Sequence, residues 1–576
     1  QTINKSLLMD IRLAEGIIFI VYFGFIFLFF RQITNRILPI RQGFSKVAQH
    51  PWLPYALVLG LTMLPYGLLY VIYQPYPSVH DEFGYLLGAD ALVHGRLSSP
   101  THPMWTFFET HHIFHVPSYS QKYPIGQSVF LAIGQGLFGK AIVGVWICMT
   151  LVNCTTLWML QGLVPRSWAL AGALGTTVYE KFVMHWGMTF WGGGVAMWGG
   201  VLFFGALIRL LQRPTSYHAS LLGLGAIVLA NSRPFEGLVA ILPGSLWLIY
   251  SLIRQPKGTL TTFWLPFCLV MSLGVAGMMY HNYRVVGKPL SMYYNAYNPQ
   301  YEEARPLLIL PPNKPPVYRH KSMKDWHDVE LALYRERRNV SGFLYTAFYE
   351  KPLYYAKFYL SFVFILPFLT FVFYALGISL PFMSGKKVFQ GTDFGDRDSS
   401  PDRNTTINRF VLLTLVFGLI VTSLNPWSQG HYFAPFVGLI VVAIIQGFRY
   451  GQGIRFTKVV SVYGIATVLV LGTHVSIAGA VAYKLHRQQG GLYFKQVHEQ
   501  TLTQQGGKHL ILVRYSPAHS CYYEWVFNGS DLENAPVLWA HDMGNLENTR
   551  LLNYYKNRKV WRLEPDTAAE KLIPLR

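Results

Sequence analysis

The adjacent carboxylates Asp81 and Glu82 follow, after a gap of a few residues, an apolar run that ends at Tyr73. Acids placed there stand at the mouth of a membrane rather than inside it, where they can abstract a proton from a hydroxyl or hold a divalent cation. His80 precedes the pair, and Lys122-Tyr123-Pro124 closes the same loop. An ammonium point charge at interface depth suits the phosphate of a lipid carrier. The plainer readings are solvated loop acids or a helix cap for Asp81, and a snorkelling side chain beside an interfacial tyrosine for Lys122.

Further along, Arg233 and Glu236 terminate an apolar segment, where an ionisable group needs a partner or a cavity. Either the two pair with one another, or the forked donors of Arg233 bind phosphate or a sugar hydroxyl. The aromatics Trp186, Trp191, Tyr293, Tyr294 and Tyr297 form interface belts or stack on sugar rings. His111 and His115 lie one helical turn apart and are the candidate metal ligands, so a divalent cation is the only cofactor suggested.

These groups need a scaffold, and the composition indicates which kind. Of 576 residues, 52% are hydrophobic and only 13% charged, too apolar for an ordinary soluble multidomain chain. Apolar runs near the ~20 residues needed to cross a bilayer recur along most of the length. The expected spans are 11–30, 52–73, 141–164, 168–184, 188–211, 219–230, 237–253, 262–280, 354–381, 410–424, 432–448 and 459–482, about twelve in all. The formal net charge of +20 would suggest nucleic acid in a soluble protein. Here the basic residues sit in short gaps between spans, such as Arg31 to Lys46, Arg209 and Arg213, and Arg449 to Lys458, which marks cytoplasmic loops instead. No nucleic-acid partner follows.

Segment 125–138 decides the register. It is apolar but short and carries Gly126, Gly134 and Gly136. Taken as interfacial or re-entrant, it leaves the later basic gaps on the side of the first one and both termini outside. The polar candidates then gather on the outer face, in loops 74–124, 179–191, 231–236, 282–352 and 425–431. A helix-like stretch from Phe83 to Leu97, with Leu86, Ala89, Val93 and Leu97 at helical spacing, is expected on the lipid interface. Residues 386–409 read as a solvated cytoplasmic loop.

The expected organisation is an extra N-terminal span with its basic loop (1–50), a transmembrane domain (51–482) and a small outer α/β domain (483–576). The last has strand-like segments at 509–514, 537–540 and 560–563. Cys148, Cys154 and Cys268 fall in expected spans and Cys521 outside, so no disulfide framework is implied. The first apolar run is followed by Arg31 and Arg36, not by a small-residue cleavage site.

With these residues in view, the chain resembles the GT-C superfamily of integral-membrane glycosyltransferases, in particular the protein O-mannosyltransferase and aminoarabinose transferase branch. The likeness covers residues 52–448 and rests on Asp81-Glu82, on Gln121-Lys122-Tyr123-Pro124 and on His431-Tyr432-Phe433-Ala434-Pro435. It implies that Asp81 is the base with Glu82 as partner, that Lys122 contacts the carrier phosphate, and that His431 and Tyr432 lie near substrate. Relatives carry a second acid in the next outer turn, for which Glu180 is the only counterpart. The implied activity is sugar transfer from a polyprenyl-phosphate donor to an outer hydroxyl on protein, lipid or glycan, with inversion, at a bacterial inner membrane. Arg233 would assist Lys122, and His80, Tyr123, Glu236 and Tyr293 would contact substrate. No nucleotide is required, and no Gly-rich phosphate loop is present. The competing expectation is a non-catalytic scaffold subunit of an envelope complex, with Asp81 and Lys122 far apart and no cavity between them. A transporter would carry its ionisable residues near mid-span.

Overall fold

The computed structural model describes residues 16–254, 257–378, 401–451, 457–487, 491–567 and 571–575. Of the expected loop at 386–409, residues 386–400 lie outside the described residues and 401–409 belong instead to the helix Pro401–Thr422; the start of the expected span at 11–30 also lies outside the described residues. The helices that position the site are α1 (Leu53–Ile72), α2 (His80–Val93), α3 (Gly126–Phe138), α4 (Ala141–Gln161), α5 (Gly193–Leu210), α6 (Pro234–Ile253), α7 (Tyr293–Tyr301) and α8 (Lys321–Arg338).

Among the described residues, eight helices are long and apolar enough to cross a membrane. A ninth is added if Val340–Tyr359 and Phe362–Leu376, bent by 119°, form one broken span. The count of about twelve is therefore not confirmed among the described residues. Helices Gly16–Leu28, Arg166–Val178 and Ser216–Ala230 occupy expected spans but are short. The 15 residues of Ser216–Ala230 rise about 23 Å against a ~30 Å hydrocarbon core.

Helix α3 has 13 residues, about 20 Å, and folds back as a hairpin on α4 instead of running on as a span. Gly144 makes this possible. A Cβ there would stand 1.7 Å from the Phe130 carbonyl oxygen, so the two backbones touch where any side chain would intrude. The hairpin keeps the register: the C-terminal end of α1, the N-terminal ends of α5 and α6, and the start of Ala434–Gly451 meet at one end of the bundle.

At that end the loop 74–124 folds into α2 and a small antiparallel sheet of β1 (Ser99–Pro100), β2 (Ile113–Phe114) and β3 (Ser118–Gln121), in the order β1-β3-β2. Beyond the last membrane helix, β4 (His509–Val513) pairs in parallel with β5 (Val537–His541) and β6 (Lys559–Leu563), and β7 (Leu572–Pro574) is antiparallel to β6.

Helix α2 is not laid on the lipid interface as its spacing suggests. It starts at His80 and ends at Val93, and it is buried on two sides. Tyr85 and Ala89 belong to the membrane core, whereas Phe83 and Leu87 share a core with Trp525, Trp539 and strand β4. Phe83 stacks on Phe527 at 3.8 Å between centroids, and the Ser530 N–H and hydroxyl both donate to Asp90 Oδ2 at 2.7 Å. Burial on both sides explains why the alternation of apolar residues along α2 does not resolve a wet face.

Candidate functional site

Asp81 and Glu82 occupy the first turn of α2, where carboxylates are favoured by the helix dipole. Their surroundings differ. Asp81 Oδ1 accepts from the Tyr123 hydroxyl at 2.5 Å and Oδ2 from the Trp191 indole N–H at 2.9 Å. His112 Nδ1 lies 3.1 Å from Oδ1. Burial pushes the Asp81 carboxyl up, but His431, Arg233 and the Tyr123 and Trp191 hydrogen bonds outweigh it, so the net displacement is below the usual aspartate value. Asp81 is thus an oriented, ionised carboxylate.

Glu82 is turned to the backbone. Its Oε2 accepts from the N–H of Ser78 at 2.8 Å and of Val79 at 3.1 Å, and its Oε1 from the N–H of Phe190 at 2.8 Å. This closes a capping box on α2 and ties it to the turn before α5. Burial, only partly offset by those donors, raises the Glu82 carboxyl to about 7. Both Glu82 oxygens are thus engaged by main-chain N–H groups, whereas those of Asp81 meet side chains.

Lys122 follows β3 and is buried. Its ammonium pairs with Glu302 at the end of α7 and lies 4.7 Å from the Tyr297 ring centroid, with Tyr123 and Tyr294 at 5.6 and 6.0 Å. Burial raises the Glu302 carboxyl even though Lys122 opposes the shift. Glu302 also offers a ligand atom within 4.8 Å of those of His327 and Glu330 on α8, the one metal-competent group of three among the described residues. His327 Nε2 is buried without a partner.

Arg233 caps the start of α6 and is buried, its guanidinium 5.3 Å from the Tyr432 ring centroid. Its Nη2 has no hydrogen-bond partner, and among the described residues no carboxylate pairs with it within the 4 Å of an ion pair. The alternative of an Arg233–Glu236 pair is therefore not realised; Glu236 instead accepts from the Asn425 amide at 3.3 Å. His431 packs on Trp191 at 5.0 Å, and burial with Arg233 nearby holds its imidazole well below the ordinary value despite Asp81.

Other expected residues lie outside this cluster. Glu180 pairs with Lys181 at 2.7 Å, so its equivalence to a second acid beside Asp81 has no support in its contacts. Tyr293 hydrogen-bonds His281, whereas its neighbour Tyr294 lies near Lys122 and Tyr123. His111 and His115 share no metal site: His111 stacks on His80 at 4.1 Å and His115 lies 5.2 Å from Tyr119. His80 is closed in by His111 and Trp326, and burial lowers its imidazole to about 4. Sequence reasoning did not single out His112 for its contact with Asp81, nor Glu302, His327 or Glu330. The signal for Glu302 was present, because Tyr294, Asn298 and Glu302 follow at helical spacing.

The buried carboxylate, the cations and the aromatics thus collect at one end of a helical bundle. A cavity of about 200 Å³ among Leu163, Phe204, Leu207, Trp247, Phe410 and Leu439 lies toward the other end and is lined by no titratable group. No protein-family model matches the sequence, and no curated protein matches it significantly. The fold nevertheless has a counterpart among solved structures. It is similar to ArnT from Cupriavidus metallidurans, solved bound to undecaprenyl phosphate. The TM-score is 0.50 and the identity 11% over 88% of this chain and 92% of that one. The archaeal oligosaccharyltransferase AglB from Archaeoglobus fulgidus, in complex with an inhibitory peptide and a dolichol-phosphate, gives a TM-score of 0.46. Its identity is 10% over 89% of this chain and 70% of that one.

Proposed function

We propose that the protein transfers a sugar, hexose or pentose, from a polyprenyl-phosphate donor to a hydroxyl acceptor on the extracytoplasmic side of a bacterial inner membrane. The observation that carries this reading is the ionised Asp81 beside a buried Arg233 whose Nη2 has no partner, within a fold similar to that of ArnT. Asp81 takes the proton of the acceptor hydroxyl. The acceptor oxygen attacks the anomeric carbon in line, and the bond from that carbon to the carrier-phosphate oxygen breaks, giving inversion. The charge released on the phosphate meets Arg233 first, since its donors are uncommitted, and Lys122 once Glu302 yields it. Fixed cations in a dry site are well suited to that task. Glu302, His327 and Glu330 would hold a divalent cation, which would draw Glu302 away from Lys122. A scaffold subunit expects Asp81 and Lys122 to be far apart with no cavity between them; against the first half, the Tyr123 hydroxyl, next in the chain to Lys122, donates to Asp81.

The test is in-vitro transfer from a panel of polyprenyl-phosphate sugars. Asp81→Asn should lose at least ~10²-fold in kcat while keeping its thermal stability, and Lys122→Ala and Arg233→Ala should weaken the donor dependence. Equal turnover in wild type and Asp81→Asn removes Asp81 as the base. No turnover with any donor favours the scaffold.

A further inference from the structure

His112 joins the acid to the phosphate side of the site. Its φ of 61° makes it the one non-glycine residue with positive φ among the described residues. A β-carbon disfavours that region, so the surrounding contacts must hold it there. Its N–H donates to the Tyr297 hydroxyl at 2.8 Å, and its carbonyl accepts from the Lys122 N–H at 3.0 Å. Its ring Nδ1 contacts the Tyr123 hydroxyl and Asp81 Oδ1.

The protons on this chain of groups are determined by their number. The Tyr123 hydroxyl has one proton and gives it to Asp81. Nδ1, facing a phenol oxygen and a carboxylate oxygen, must then be N–H, and Nε2, buried without a partner, keeps its lone pair. Burial, together with Lys122, His80 and His327, holds the ring neutral.

We infer that His112 is a positioning residue for the reaction proposed above: its Nδ1–H orients Tyr123 and the Asp81 carboxylate, and its left-handed backbone locks the base to the strand that delivers Lys122. The titratable and charged groups that face Asp81 are His112 and Tyr123 from the first outer loop, His80, Glu82 and Tyr85 on its own helix, Arg233 from the head of α6, and His431 and Tyr432 from the turn that follows Asn425. A donor to a carboxylate favours its ionised form, so removing one raises the Asp81 pKa. The base works only when ionised, and the acid limb of kcat then moves to higher pH.

The experiment compares wild type, His112→Gly and His112→Asn as full-length protein in lipid nanodiscs. His112→Gly accepts the backbone but supplies no donor, whereas Asn tolerates the left-handed region and carries a side-chain N–H. His112→Gly is expected to lower kcat at neutral pH about tenfold and to shift the acid limb up by about one pH unit, with the donor KM within about twofold. His112→Asn should recover most of both. Wild-type kcat and acid limb in His112→Gly, or equal impairment of both variants with an unmoved limb, overturns the inference. Should the wild type transfer nothing, the transferase reading fails separately. Histidine-selective ¹⁵N NMR then decides the role of His112, because an Nε2–H tautomer at the resonance lost in His112→Gly overturns it.

Discussion

The two adjacent carboxylates predict opposite phenotypes, and Glu82→Ala is the sharper test. The substitution leaves the main-chain N–H groups of Ser78, Val79 and Phe190 without an acceptor. A buried unsatisfied donor costs about 1–3 kcal/mol. The first two lie at a helix entrance where water can reach, which places them near the low end, as for a lost N-cap. Phe190 is buried and stands in the upper half of the range. The sum is roughly 4–5 kcal/mol, large against the 5–15 kcal/mol that holds a typical domain together. In detergent or nanodiscs, Glu82→Ala should therefore melt well below wild type, whereas Asp81→Asn should melt close to it. Residual transfer by Glu82→Ala, measured below its melting point and normalised to folded protein, should fall far less than that of Asp81→Asn. A Glu82→Ala protein that melts like wild type yet transfers no sugar would refute this argument and restore Glu82 to the chemistry.

Two further outcomes follow from packing and ligand geometry. Gly144→Val places a branched side chain where even a Cβ would stand 1.7 Å from the Phe130 carbonyl oxygen, so the α3–α4 hairpin should open; a wild-type melting temperature would contradict that close approach. Calorimetric titration with Mn²⁺ should give one saturable site, lost in the His327→Ala, Glu330→Gln double variant and retained in the His111→Ala, His115→Ala double variant. Equal binding by the first pair and wild type rules out this cluster.

The helical membrane architecture was legible from hydropathy because long apolar runs have few other uses in a chain so poor in charge. Segment 125–138 was legible as a short, glycine-bearing helix from its length and composition. Span counting was less so, since Arg166–Val178 and Ser216–Ala230 look like spans by composition but fall short by length. At the site, residue types marked Asp81, Lys122 and Arg233, but not the partners that define their state. Glu302, 180 residues from Lys122, and Trp191, 110 from Asp81, meet them only through the fold. Adjacent carboxylates cannot be told apart in sequence, because the difference lies in which main-chain N–H groups each one meets. The left-handed backbone of His112 leaves only a faint mark, because histidine enters that region more readily than most side chains but does so at few of its positions.

Helix α2 bears Asp81 and is closed over by residues that come much later: Ser530, which holds Asp90, is 440 positions downstream. At translation rates of 5–20 residues per second, the helix leaves the ribosome roughly 20–90 s before its cover exists. Phe83 and Leu87, destined for the core beneath β4, remain uncovered in that interval. The base therefore reaches its final setting near the end of synthesis, after the membrane helices are in place. A nascent chain halted before Phe527 would carry every acid and cation of the site and still lack the layer that holds α2 in position.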